Sequence, residues 1–177
     1  MKLSDLNPDE RFAFDLAMEE QTKSTNPKWQ VGAAAIAEDG TIVATHNVLG
    51  PTQHAEQLVL GELYETLGTS EKKLRAMVVV GAQEGQKVFR CDTPYGDDVE
   101  LDEIECSVWL CGKCLEFMHD CTANVPDVDI ILATVTGEIL KTSLRSLYTK
   151  AHTSSRVPIR WLGSSLWPTP SDHSNSA

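Results

Sequence analysis

No stretch of this 177-residue chain reaches the ~18 consecutive apolar residues that mark a membrane-crossing helix, which argues against bilayer insertion. Basic residues are scarce, 15 Lys and Arg against 26 Asp and Glu, for a formal net charge of −11. A polynucleotide backbone needs clustered positive charge, so nucleic acid is a disfavoured partner. The tightest basic cluster, Lys72, Lys73 and Arg75, reads as a solvated approach to a strand. Nothing at Met1-Lys2-Leu3-Ser4 has the pattern of a secretory leader, so the five cysteines are expected to stay reduced in a cytoplasmic setting. What remains is a length suited to one domain with a sizeable core, and a small-molecule ligand in preference to a polymer.

The local patterns alternate between helix and strand. Asn7-Pro8-Asp9-Glu10 is a helix start, with an Asn cap, Pro at the first helical position and acids in the first turn. Phe12, Ala13, Leu16 and Ala17 are expected to form the buried stripe of that helix, through about residue 22. Strands at 30–38 and 41–47 make a hairpin around Glu38-Asp39-Gly40. The runs 76–81 and 129–134 are continuously apolar, as in strands covered on both faces. Such alternation gives an α/β layered sandwich. Residues 153–177 form a C-terminal extension whose end, after Trp167, lacks apolar period and is expected to be disordered. Val157, Ile159, Trp161 and Leu162 within it suggest a short extended segment or a subunit contact.

Two short motifs carry chemistry. His54-Ala55-Glu56 and Cys111-Gly112-Lys113-Cys114 together offer three zinc ligands, His54, Cys111 and Cys114, and one carboxylate, Glu56, not needed as a ligand. Three protein ligands leave a position open for water, and Glu56 could move protons between that water and a substrate. Residues two apart on a helix point about 200° away from each other, so His54 and Glu56 share a target only off the end of a helix. The segment 52–64 reads as that helix, its repeat carried by Leu58, Gly61 or Glu62, and Leu63 to Tyr64. Cys111 and Cys114, three apart, lie on one face and open a second helical run through Leu115, Phe117 and Met118. Two helix N-termini converging on one point would favour thiolate over thiol and stabilise hydroxide.

Each motif alone has plainer readings. Cys-x-x-Cys is also a redox pair or half of a structural zinc site. Cys106 or Cys121 could close a four-ligand structural site, with Glu56 a solvated helix residue. Cys91, Cys106 and Cys121 need no special role, and His46 and His119 read as ordinary polar positions.

From about residue 8 to 152 the order of elements resembles the cytidine deaminase family. Trp29-Gln30-Val31-Gly32-Ala33-Ala34-Ala35-Ile36 is similar to the family's first strand, and Thr41 to Asn47 to its second, ending in a substrate-facing Asn. His54-Ala55-Glu56-Gln57, the Cys-Gly-x-Cys helix, the hairpin segment Thr136-Gly137-Glu138-Ile139 and a last helix from Ser143 to Tyr148 follow in family order. The stretch 55–61 is also similar to blasticidin-S deaminase. The resemblance implies a three-layer α/β/α sandwich with a mixed central sheet over residues 1–152. It implies zinc on His54, Cys111 and Cys114, with Glu56 as proton shuttle. By the same resemblance Ala55 holds the pyrimidine carbonyl through its backbone, Trp29 stacks on base or sugar, and Asn47 reaches a sugar hydroxyl. A homodimer or homotetramer is the implied assembly.

Departures from the family are as specific. Where nucleoside deaminases have Asn-x-Glu, this chain has Asn47-Val48-Leu49, so the sugar-reading carboxylate is missing. Trp109-Leu110 replaces the Ser-Pro before the first Cys. An acidic insertion at about 83–105, eight acids against two bases, reads as a solvated loop or as a lid or subunit contact. The expected reaction is zinc-dependent hydrolytic deamination of cytidine, deoxycytidine or a close analogue. The alternatives are a nucleoside antibiotic or modified base as substrate, and a non-catalytic zinc domain that binds a partner.

Overall fold

The computed structural model describes residues 1–26, 30–48, 54–68, 73–81, 110, 112–122, 128–135 and 139–153. The acidic insertion, Trp29, Leu49, Cys91, Cys106, Cys111 and the extension beyond residue 153 lie outside the described residues.

A short 3₁₀ turn at Leu3–Asp5 leads into α1 (Pro8–Lys23), then β1 (Gly32–Ala37), β2 (Ile42–His46), α2 (Ala55–Leu67), β3 (Leu74–Gly81), α3 (Gly112–Cys121), β4 (Asp129–Thr134), β5 (Ile139–Ser143) and α4 (Leu144–Thr153). The five strands form one sheet in the order β2-β1-β3-β4-β5. Among the described residues only β3 and β4 pair in parallel; the other neighbours are antiparallel, so the sheet is mixed. Strand alternation divides the core in two. Ala33, Ala35, Met77, Val79, Ile130 and Leu132 face a layer made by α2, α3 and α4, through Val59, Leu60, Leu63, Leu115, Met118 and Leu144. Ala34, Ile36, Val78, Val80, Ile131 and Ala133 face α1, through Ala13, Phe14 and Ala17. The result is the expected three-layer α/β/α sandwich.

The first helix starts as its sequence dictates. The Asn7 side chain accepts a hydrogen bond from Glu10 N–H at 2.9 Å, and Glu10 Oε2 accepts from Asn7 N–H at 3.1 Å, a reciprocal capping box. Its buried stripe is Glu10, Ala13, Phe14, Ala17 and Gln21, which keeps the expected Ala13 and Ala17 but not Phe12 or Leu16. Phe12 is 56% exposed and Leu16 only half-buried. Phe12 and Phe14 are two apart and point about 200° away from each other, so only one can face the sheet, and Phe14 takes that place. The second helix likewise buries Ala55, Glu56, Val59, Leu60 and Leu63, leaving Leu58 half-buried and Gly61 exposed. It begins at Ala55 and runs to Leu67, later at both ends than the sequence pattern suggests, because His54 is extended (φ −77°, ψ 142°) and Gly68 ends it in the left-handed region at φ 58°.

Exposed Gly61 sits mid-helix, where an added Cβ meets nothing within 4 Å. Gly61→Ala is therefore expected to stabilise the fold by about 0.5–1 kcal/mol, by removing backbone freedom from the unfolded chain. A rise of a few degrees in thermal midpoint would show it, and a fall would mean that the position is occupied in solution.

One buried carboxylate ties α1 to the far edge of the sheet. The Glu10 side chain is 4% exposed and takes Lys141 Nζ at 2.7 Å, while the same ammonium lies 2.8 Å from Asp129 Oδ2. Burial pulls the Lys141 pKa down, but hydrogen bonds to Asp129 and Glu10 outweigh it and hold it above the ordinary value. A raised lysine pKa stabilises the fold fully below about 10.5, and that contribution is lost only as pH climbs through the folded value. Lys141→Ala leaves Glu10 buried with the Asn7 N–H but no ammonium, at an expected cost of about 2 kcal/mol. Urea unfolding at pH 7 measures it, and pairing the change with Glu10→Gln should recover most of the loss.

Candidate active site

His54 is the N-cap of α2 and makes no side-chain capping bond, so its ring is turned to another task. It meets Cys114, in the first turn of α3: His54 Nδ1 and Cys114 Sγ lie 3.3 Å apart. Glu56, in the first turn of α2, completes the group. One ligand atom from each of His54, Glu56 and Cys114 lies within 4.8 Å of the others. His54 and Glu56, two residues apart, both belong to the start of α2, and the N-termini of α2 and α3 converge here. Their orphan N–H groups and aligned peptide dipoles make this a place for anions.

Burial separates two readings of Glu56. It is 6% exposed, and Cys114 is 0% exposed, so neither is a solvated helix residue. A carboxylate is kept at such a place only with charge or hydrogen-bond partners. The donor set also fits a metal. Two bonds of tetrahedral zinc, about 2.3 Å to sulfur and 2.0–2.1 Å to nitrogen, separate those atoms by about 3.6 Å. The 3.3 Å between His54 and Cys114 is close to that span. Cys111, the third expected ligand, lies outside the described residues, two positions before the Lys113 that leads to Cys114.

The remaining expected contacts are placed unevenly. Ala55 is the first residue of α2, where a backbone N–H has no partner within the helix. Asn47 follows the last residue of β2 and is 7% exposed. Its Oδ1 accepts from Val31 N–H at 2.8 Å and from Ser24 Oγ at 2.6 Å. Trp29 lies outside the described residues. His46 and His119 stand apart from the His54 group: His46 Nδ1 is 2.7 Å from Glu20 Oε2, and His119 stacks on Tyr148 at 4.1 Å. Cys121 is a free, partly buried thiol whose carbonyl accepts from the Tyr64 hydroxyl at 3.0 Å. Burial raises the Tyr64 pKa, which keeps that donor protonated. Ser24 is the residue that the sequence did not mark. Its hydroxyl is unremarkable until the fold brings residues 24 and 47 together.

The same arrangement of elements occurs in known structures. Cytidine deaminase from Burkholderia pseudomallei superposes with a TM-score of 0.56 at 21% identity, covering 77% of this chain and 93% of that one. The enzyme from Mycobacterium leprae gives 0.52 at 21% identity, over 81% and 98%, and that from Mycobacterium tuberculosis 0.51 at 18%, over 80% and 94%. This chain has the cytidine deaminase fold. Identities this low establish the fold and leave substrate open. No protein-family model and no curated protein matches the sequence. In the cytidine deaminase fold of this chain, the His54, Glu56 and Cys114 cluster sits where helices from one face of the mixed sheet bring their N-termini together. Among the described residues no helix is long and apolar enough to cross a membrane.

Proposed function

We propose that this protein is a zinc-dependent hydrolytic deaminase acting on a cytosine nucleoside or a close analogue. The observation that carries the reading is the convergence of half-buried His54 with buried Glu56 and Cys114 at two helix N-termini. The cytidine deaminase fold supports it. His54, Cys111 and Cys114 would hold the zinc, which when bound supplies Lewis-acid activation of water by lowering its pKa to about 7.

The chain's own residues do the rest. Glu56, buried beside the reacting water, takes its proton as oxygen adds to C4 of the cytosine ring. It delivers that proton to ring N3, then carries the second proton from the C4 hydroxyl to the exocyclic amine; the C4–N bond breaks, ammonia leaves and the C4 carbonyl of the uracil ring forms. Burial keeps the carboxylate out of competing hydrogen bonds to bulk water and close to its proton acceptor. The Ala55 N–H, at the start of α2, holds the pyrimidine carbonyl. Trp29 stacks on base or sugar, and Asn47 meets a sugar oxygen. Subunit association, as a homodimer or homotetramer, belongs to the same reading.

The test is ammonia release by zinc-loaded protein against cytidine, deoxycytidine, cytosine, adenosine and blasticidin S, with and without a chelator. The last compound is included because residues 55–61 are similar to blasticidin-S deaminase and because Leu49 removes the sugar-reading carboxylate. Chelator-sensitive release from a cytosine nucleoside is expected. Silence across the panel with zinc bound would turn the site into a non-catalytic one.

A further inference from the structure

Helices α2 and α3 are joined by polar contacts near both of their ends. At the N-terminal end His54 Nδ1 lies 3.3 Å from Cys114 Sγ. Toward the C-terminal end the Tyr64 hydroxyl donates to the Cys121 carbonyl at 3.0 Å. Cys121 is the last residue of α3, where a carbonyl has no N–H partner within its own helix. Tyr64 therefore caps α3 from the neighbouring helix. The next residue, Thr122, is beside the same phenol and only 5% exposed, which shields the bond from water.

Helical spacing puts these contacts on one seam. Glu56, Leu60 and Tyr64 recur every four residues along α2, and Cys114, Met118 and Cys121 recur at four and then three along α3. Between the two polar contacts, Leu60 and Met118 are buried in one cluster with Leu63 and Leu115. Apolar packing is non-directional, and a Met side chain adapts to small shifts, so this middle part resists separation of the helices better than it resists sliding. A hydrogen bond is narrow in length and angle. Placed about 10–12 Å of helix away from the site, it sets how far α3 slides along α2 and how widely the pair splays. A metal centre needs that setting, because its ligand distances fall within about 0.2 Å of their ideal values.

We infer that Tyr64 is a positioning residue for the metal centre: by capping α3 at Cys121 it sets the register of α3 on α2, and so the spacing of Cys114 from His54. The inference rests on the zinc reading above and adds to it a residue at the far end of the seam from the site.

Tyr64→Phe keeps the ring in the buried cluster and removes the hydroxyl. Two quantities are compared across variants: zinc affinity, by competition with a chelator, and the visible absorption of Co(II)-loaded protein, whose bands report ligand geometry. Lys141→Ala, which breaks a contact to α1 on the other face of the sheet, controls for lost stability alone. Cys121→Ala removes the thiol and keeps the carbonyl that Tyr64 uses. Tyr64→Phe should weaken zinc binding about fivefold, the scale of one hydrogen bond, and shift or weaken the Co(II) bands. Lys141→Ala and Cys121→Ala should stay within about twofold of wild type with unchanged bands. Wild-type affinity or unchanged bands in Tyr64→Phe, or an equal loss in either control, would reduce Tyr64 to a structural role and overturn the inference while leaving the metal site standing. A wild type that binds neither zinc nor Co(II) would instead remove the zinc reading, and the inference with it.

Discussion

Glu56→Gln is expected to lower turnover by roughly 10²–10⁴-fold, the span that a positioned general acid–base contributes. The change keeps the size of the side chain and removes its ability to carry the proton from water to ring N3. Because Glu56 is 6% exposed in the first turn of α2, glutamine can occupy the same space without exposing the core. KM should change little, since in the proposed reaction the carboxylate acts on the reacting atoms and not on the remote parts of the substrate. Stability should stay within about 1–2 kcal/mol of wild type, because the amide keeps the shape and one acceptor oxygen of the carboxylate. Steady-state kinetics and thermal melts on the same preparation separate these effects. Activity within tenfold of wild type would remove Glu56 from the chemistry.

Gly32→Ala is expected to destabilise the fold more than any other single-methyl change in the sheet. An added Cβ at Gly32 would overlap the Ala17 carbonyl oxygen and crowd Gln21 N, both backbone atoms of α1. No rotamer relieves a clash with backbone, so the helix must move off the sheet. Overpacking of this kind costs about 3 kcal/mol, and at 2–4 °C per kcal/mol for a chain of this size the midpoint should drop by about 6–12 °C. The helix that moves also carries Ser24 at its end, and Gly32 is one residue from the Val31 that holds Asn47. A melting point within 2 °C of wild type would show that α1 does not rest on Gly32.

Some of this was written in short-range pattern. The Asn7 cap with Pro8, the Asp39-Gly40 turn and the apolar runs of β3 and β4 are local signals, and each element formed where its residues required. The two-residue spacing of His54 and Glu56 is of the same kind, because such a pair can share a target only off the end of a helix, and His54 proves to be the N-cap of α2. Long-range facts were not legible. Whether Phe12 or Phe14 faces the sheet depends on the rotation of α1, which Gly32 and the alanines of β1 set by their smallness. Glu10 and Lys141 are 131 residues apart, and nothing near either marks them as partners. Ser24 and Asn47 are 23 apart, joined only once the hairpin folds back along α1. Such pairings come from topology, and a periodicity read along the chain carries no record of them.

The central proposal is a division of labour at the site, in which His54, Cys111 and Cys114 would hold zinc and Glu56 would not. Zinc content after dialysis, measured on wild type and on His54→Ala, Cys111→Ser, Cys114→Ser and Glu56→Gln, tests it most directly. Stoichiometric zinc in wild type and Glu56→Gln, with loss in each of the other three, is the predicted result. Loss of zinc with Glu56→Gln, or its retention without His54 or Cys114, would make the buried carboxylate a ligand and contradict the account.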